Sequence, residues 1–359
     1  MTTNQPEALQ SDCARSAGQD LRGLAPLRKG KILLTGGTGF VGTWLTEMIG
    51  FLNDRHNFQI SLTLLSRHAS SFPERAPHLA SRADVNLVES DVRNVADLPS
   101  ETEWIIHAAG NPDSRTHFSS PVRTMETIVL GTQTLLAAAS RLTPLQKVLC
   151  LSSGLVYGPQ HRDDAPLGEQ AFSALNCNSL ANLYPEAKRA AEMVTAAYRS
   201  QFGLPVLNAR LFAFVGPYQL LDRPWAINNF FSDALRGGPI RVQGSGDTVR
   251  SYMYGSDLAY WLLRLLVSGK IGAAYNVGSP VGISLKDLAV KVAEHAPCRP
   301  LIDLNTLPAA NIPCTRWLPD VTLAKTDCDL EVRIDLDHAI CRTIEWQTRH
   351  SEIPTTRSL

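Results

Sequence analysis

Thr35, Gly36, Gly37, Thr38, Gly39, Phe40, Val41 and Gly42 form the stretch that decides the fold of this 359-residue chain. A β-branched and leucine-rich run at 31–35 leads into it, and an amphipathic helical pattern at 41–52 leads out. Glycines at 36, 39 and 42 permit a tight turn, close backbone approach to a pyrophosphate, and close packing of the helix on the strand. The helix N-terminus adds free N–H donors and the positive end of a dipole. Strand, glycine turn and helix in this order predict a dinucleotide site at Gly36, Gly39, Phe40, Val41 and Gly42.

Outward from the turn, short apolar runs recur at 60–65, 86–89, 104–108, 147–151 and 206–211, separated by helical patterns at 124–141 and 185–199. This alternation is the rhythm of βαβ units, so the expected fold is α/β, a Rossmann-type doubly wound parallel sheet. After residue 211 the rhythm loosens around Gly216, Pro217, Pro224, Gly237, Gly238 and Pro239, with helical stretches at 257–266, 285–295 and 336–346. The expected division is a flexible tail at 1–29, an NAD(P)-binding domain at 30–211, and a smaller mixed substrate lobe at 212–359, with interleaving of that lobe with the first domain left open. The proline-rich stretch 296–319 is expected to wrap the surface.

Composition narrows the class. At roughly 150 residues per domain the length suits about two domains. Hydrophobic residues at 44% and charged residues at 19% provide for a packed core. Lys plus Arg and Asp plus Glu both number 34, so no net field draws the chain to nucleic acid or anionic lipid. The seven cysteines are odd in number and scattered, and the nine histidines show no ligand spacing, which argues for reduced thiols in a cytoplasm and no metal centre. No apolar run approaches the ~20 residues that span a bilayer.

The second strand ends in Leu65, Ser66, Arg67 and His68, where an NAD site would carry an acid for the ribose hydroxyls. A guanidinium fits a phosphate instead, so Ser66 and Arg67 favour NADP over NAD. Asp91 and Val92 follow the third strand, and Asp91 is placed to accept from an adenine amino group or to form a turn. Farther on, Tyr184 and Lys188 stand four residues apart on a predicted helix face, so an ammonium lies near a phenol and favours phenolate. Ser153 sits at the carboxyl end of the fifth strand, the edge where open α/β sheets bind ligands, and its hydroxyl can hold a substrate oxygen beside the tyrosine.

In these residues the chain resembles the extended short-chain dehydrogenase/reductases of the NAD-dependent epimerase/dehydratase family, most of which modify nucleotide sugars. The resemblance runs from about residue 31 to 346. It includes His107, Ala108 and Ala109, then Gly131 and Thr132, Arg210 with Gly216 and Pro217, Arg250 to Asp257, Tyr275 to Gly278, Pro319, Asp320 and Trp346. It implies that Tyr184 exchanges the proton of a sugar hydroxyl, that Ser153 binds the reacting oxygen, and that Lys188 binds the nicotinamide ribose and lowers the tyrosine pKa. It places Ala108 and Ala109 against the cofactor, Arg250 on a nucleotide diphosphate, and Asn229 in the substrate site. For Arg250 a salt bridge to Asp257 is the competing reading.

The sequence also departs from the family. Retaining 4,6-dehydratases carry an Asp and a Glu after the active hydroxyl, and decarboxylases usually keep the Glu, where this chain has Gly154 and Leu155. Neither side chain can move a proton. Ile128 and Ala213 stand where many relatives have asparagines. The expectation is therefore an epimerase or ketoreductase acting through a keto-sugar. The alternatives are a dehydratase recruiting Glu186, Asp163 or Asp164, a reductase of a non-sugar carbonyl, and a non-catalytic dinucleotide sensor. The helical stretches 124–141 and 184–199, rich in small residues at Ala137, Ala138, Ala139, Ala190 and Ala191, suggest a homodimer.

Overall fold

A computed structural model describes residues 5–160, 165–305 and 315–350. Its centre is a seven-stranded parallel sheet of β1 (Lys31–Thr35), β2 (Ser61–Ser66), β3 (Val85–Glu89), β4 (Trp104–His107), β5 (Lys147–Ser153), β6 (Val206–Leu211) and β7 (Ala274–Val277). They lie in the order β7-β6-β5-β4-β1-β2-β3. One register row, Leu64, Leu34, Ile106, Leu149 and Leu207, crosses five strands, and every member is fully buried. Such continuous apolar strands are what a sheet covered on both faces requires. Strand order reverses between β1 and β4, and that switch point opens a crevice at the carboxyl ends of the strands.

The expected tail is corrected by the structure. Helix α1 (Gln5–Ala17) buries Leu9, Cys13 and Ala17, and the turn Arg22–Leu27 buries Leu24 and Leu27. Residues 1–4 lie outside the described residues. Asp12 on α1 accepts from Tyr254 Oη at 2.8 Å and binds His338 Nε2 at 2.9 Å, while Ser16 and Ser256 share a hydrogen bond of 2.7 Å. Three modest apolar side chains make too weak a stripe to announce a helix. Packing against α2 (Phe40–His56) and a later helix supplies the stability that propensity does not.

The expected single helix over 124–141 is interrupted. A short helix Pro121–Met125 passes through a π turn, Glu126–Leu130, before α3 (Gly131–Ala139). Helix α4 (Leu183–Phe202) follows β5. Beyond residue 211 the chain forms α5 (Ala226–Leu235), α6 (Gly255–Ser268), the helix packed on α1, α2 and β5, and short strand pairs, and it returns to the central sheet as β7. Within 296–319 the chain is more ordered than expected: Ile302–Asn305 pairs with Ile240–Gln243, and Arg316–Trp317 pairs with Val249–Arg250. Residues 306–314 lie outside the described residues. No described helix is long and apolar enough to cross a membrane.

Candidate active site

The glycine turn builds the floor of the crevice. Gly36 has φ +68, and a Cβ there would stand 2.7 Å from the carbonyl oxygen of Ala108; one on Gly42 would enter the backbone of Gly37. The turn therefore needs glycine at both places. Gly39 caps α2 with no side chain to bond the first-turn donors, so those N–H groups are left for a ligand. Phe40 and Val41 line the same wall as Ser66, Arg67, Asp91, Val92, Ala108 and Ala109. The space they enclose, about 560 Å³, is of a size that holds a cofactor. Glycine floor, open donors and volume fit a dinucleotide.

Cations gather around that space. Arg67 comes from the end of β2, Arg75 from the short helix behind it, and Arg223 from the segment between residue 211 and α5. Arg75 donates to Thr38 O at 2.8 Å and makes no ion pair among the described residues. Burial, aided by the Arg223 charge, pushes its pKa down. An anion between these groups would relieve both effects. Ser66 shares a 2.7 Å hydrogen bond with Thr38 Oγ1. Asp91 is already engaged: Arg93 holds it with its backbone N–H at 3.0 Å and Nη2 at 2.9 Å, keeping its carboxyl at about 2. Its structural part is that of a turn cap.

Gly110 lines the crevice, and a Cβ there would stand 3.5 Å from Lys188 Nζ. There β5 and α4 bring Ser153, Tyr184 and Lys188 together. Ser153 stands close enough to the Tyr184 phenol to favour its ionised form, and Lys188 Nζ lies 5.8 Å from the Tyr184 ring centroid while donating to Leu151 O at 2.8 Å. Burial dominates both groups. It pushes the phenol up to about 12, against the lowering by Ser153, and brings the ammonium down to about 8. The expected lowering of the tyrosine is tied to Lys188 together with the oxidised nicotinamide; in the protein without that cofactor, desolvation outweighs the lowering by Ser153.

A buried network fixes this corner from behind. Glu192, one turn beyond Lys188, accepts from Ser152 Oγ at 2.5 Å and from Arg210 at 2.9 and 2.7 Å. Arg210 also donates to Tyr157 Oη at 3.1 Å. His107 joins β1 to α3 through Thr35 and Thr132. Because Thr132 gives its own proton to Ile128 O, it accepts from His107 Nε2, which leaves Nδ1 to accept from Thr35. Burial holds that imidazole neutral, near 3.

Two residues expected at the substrate do not line the dinucleotide crevice. Arg250 donates to Val249 O, Thr315 O and Thr315 Oγ1, and is not on the crevice wall. Asp257, its suggested partner, instead accepts from the backbone N–H groups of Arg333 and Ile334. Asn229 is exposed on α5; its neighbour Asn228 is buried and ties Leu220 O, at 2.9 Å, to the crevice-lining segment. Glu186 pairs with Arg189 at 3.4 Å, and Asp163 and Asp164 lie outside the described residues. Sequence reading missed Arg75, Arg223 and His117. Among the described residues no group of three metal-ligating side chains assembles.

The sequence profile of the NAD dependent epimerase/dehydratase family matches residues 32–278. UDP-glucuronic acid decarboxylase 1 of Danio rerio is 29% identical over 322 residues, covering 90% of this chain and 73% of its own. UDP-glucuronic acid decarboxylase 2 of Arabidopsis thaliana is 30% identical over 313 residues, 86% of this chain and 66% of its own. Among solved structures, Bordetella bronchiseptica WbmF in complex with NADH superimposes with a TM-score of 0.75 at 21% identity, over 90% of this chain and 94% of its own. UDP-glucuronic acid 4-epimerase from Bacillus cereus, in complex with UDP-glucuronic acid and NAD, gives 0.74 at 19%, over 89% and 99%.

Proposed function

The chain belongs to the NAD dependent epimerase/dehydratase family, and from that premise we propose that it is an epimerase or ketoreductase of a nucleoside-diphosphate sugar, working through a keto-sugar. The observation that carries this reading is the corner at the end of β5: Ser153, Tyr184 and Lys188 converge there, and Gly154 and Leu155 follow. When bound, the nicotinamide supplies a reversible two-electron acceptor for the sugar C–H. Tyr184 takes the hydroxyl proton as that carbon is oxidised and returns it on reduction; Ser153 holds the oxygen, and Lys188 provides the positive charge that favours phenolate. Elimination of water would need a further acid and base. Gly154 and Leu155 provide neither, and a Cβ on Gly154 would meet the Phe212 ring at 2.9 Å. The decarboxylases at 28–30% identity share the scaffold, but their usual carboxylate is replaced by Leu155.

For the cofactor, Arg67 with Arg75 nearby supports a 2′-phosphate, so we assign NADP. Denaturing the purified protein should release close to one NADP(H) per chain, identified by mass spectrometry, and R67A should lose roughly tenfold in NADP affinity with NAD affinity little changed. Release of NAD(H) would overturn the assignment. Full occupancy marks an enzyme that completes its redox cycle on one sugar, whereas an empty site filled reversibly by NADPH would favour the reductase.

A second copy of the chain suits the face formed by the short helix Pro121–Met125, the π turn and α4, where Val122, Leu130 and Met193 are 71%, 44% and 70% exposed. Apolar side chains so placed support a helix-paired homodimer. Light scattering at micromolar concentration should give twice the chain mass, and M193K should give monomer. A wild-type monomer would rule the pairing out.

A further inference from the structure

His117 is a buried titratable group in ring contact with Tyr184 that the proposed reaction does not use. It lies on a one-turn helix, Ser114–Ser119, and only 7% of it is exposed. Its ring lies parallel to that of Tyr184, centroids 4.5 Å apart and planes at 9°. Nε2 is 2.7 Å from Asn111 O, and since a carbonyl only accepts, the ring's proton is on Nε2. Asn111 lines the crevice and is itself tied down: its Oδ1 accepts from Asp113 N at 3.0 Å and its Nδ2 donates to Thr116 Oγ1 at 3.0 Å. Asp113, 3% exposed at its side chain, caps the helix by accepting from Arg115 N and is clamped by Arg223 at 2.6 Å.

We propose that His117 is a positioning residue, which covers one face of Tyr184 and, through its Nε2 bond to Asn111, ties the ring to the wall of the crevice. The proposal rests on Tyr184 being the acid/base. A phenol on a helix can swing about χ1 and χ2, and only one setting reaches Ser153; a parallel ring fixed at its far edge removes that freedom. The groups facing Tyr184 are then Ser153 from β5, Lys188 from its own helix, His117 from the loop after β4, and the apolar Ile128, Ala187 and Ala191. Apart from His117 none of them clamps a ring face by stacking. His117 also keeps water from that face, which is part of the burial holding the phenol high. A phenylalanine would stack as well but could not reach Asn111, so the choice of histidine carries the tether.

The test compares wild type, H117A, H117F and Y184F. Tyrosinate absorbance, taken as a difference from Y184F, isolates the ionisation of Tyr184 without any substrate. H117A should bring it from about 12 at least one unit toward the ordinary value. With UDP-glucuronic acid and UDP-glucose as probes, H117A should lose about tenfold in kcat with KM changed less than twofold, and NADPH affinity should stay within twofold. H117F should keep the titration of wild type and lose about threefold in kcat, which isolates the tether. Wild-type titration and kcat in H117A, or wild-type kcat in H117F, would overturn the proposal. So would a kcat loss matched by loss of NADPH affinity and of melting temperature, which is the signature of general damage. Turnover surviving in Y184F would instead sink the reading of Tyr184 itself, so the two failures are distinct.

Discussion

Tyr184→Phe is expected to lower turnover of a nucleotide sugar by about 10²- to 10⁴-fold, the range for removing a positioned acid/base, while leaving dinucleotide affinity within twofold. The ring remains, still stacked on His117, and Lys188 keeps its bond to Leu151. Only the proton carrier is lost. Ser153 cannot substitute, because its hydroxyl oxygen accepts from Leu155 N, its proton serves to stabilise the phenolate, and no base stands beside it. The check is product formation from UDP-glucuronic acid and UDP-glucose by chromatography, alongside NADPH fluorescence titration. Survival of more than a tenth of wild-type turnover would remove Tyr184 from the mechanism.

The same residue sets a pH dependence. Burial places Tyr184 at about 12 in the ligand-free protein, so the phenolate that accepts a hydroxyl proton is scarce at neutral pH. Below that value the base form, and with it the oxidative half-reaction, rises up to tenfold per pH unit. Positive charge brought by the oxidised nicotinamide moves the limb to lower pH. The limb should vanish from any residual activity of Y184F.

What could be read from the sequence was whatever is local in the chain. The glycine turn needs only its own backbone geometry plus flanking strand and helix, and Tyr184 and Lys188 need only helical spacing, so both were found. Arg75, Arg223 and His117 reach the site by tertiary contact, and no spacing announces them. Helix α1 is hidden for another reason: Leu9, Cys13 and Ala17 are too few and too small to mark a periodic face until α2 and α6 close over them. Asn228 and Asn229, adjacent on α5, take opposite environments, one buried and one exposed, which the sequence does not distinguish. One step around α5 decides which amide faces the core, and the structure buries Asn228.

Lys188→Met should make the ligand-free protein more stable at pH 7 even as it disables the site. Lys188 is 8% exposed, and burial brings its pKa from 10.5 to about 8. Between those two values the unfolded chain binds the proton and the folded chain does not, so wild-type stability rises as pH climbs through that window. Below about pH 8 the folded protein carries the full cost of the buried charge, on the order of 3 kcal/mol at 1.36 kcal/mol per unit. Methionine fills similar space without charge, at the loss of the hydrogen bond to Leu151 O, about 1 kcal/mol. The net gain, about 2 kcal/mol, should raise the melting temperature by roughly 3 °C for a chain of this length and shrink to nothing or reverse near pH 10.5. Thermal unfolding of cofactor-free wild type and K188M across pH 6 to 10.5 measures it, and a variant less stable than wild type at pH 7 would refute it. Adding the dinucleotide should narrow or invert the difference, because only the wild type then gains a use for its charge, a trade of stability for function that is common at active sites.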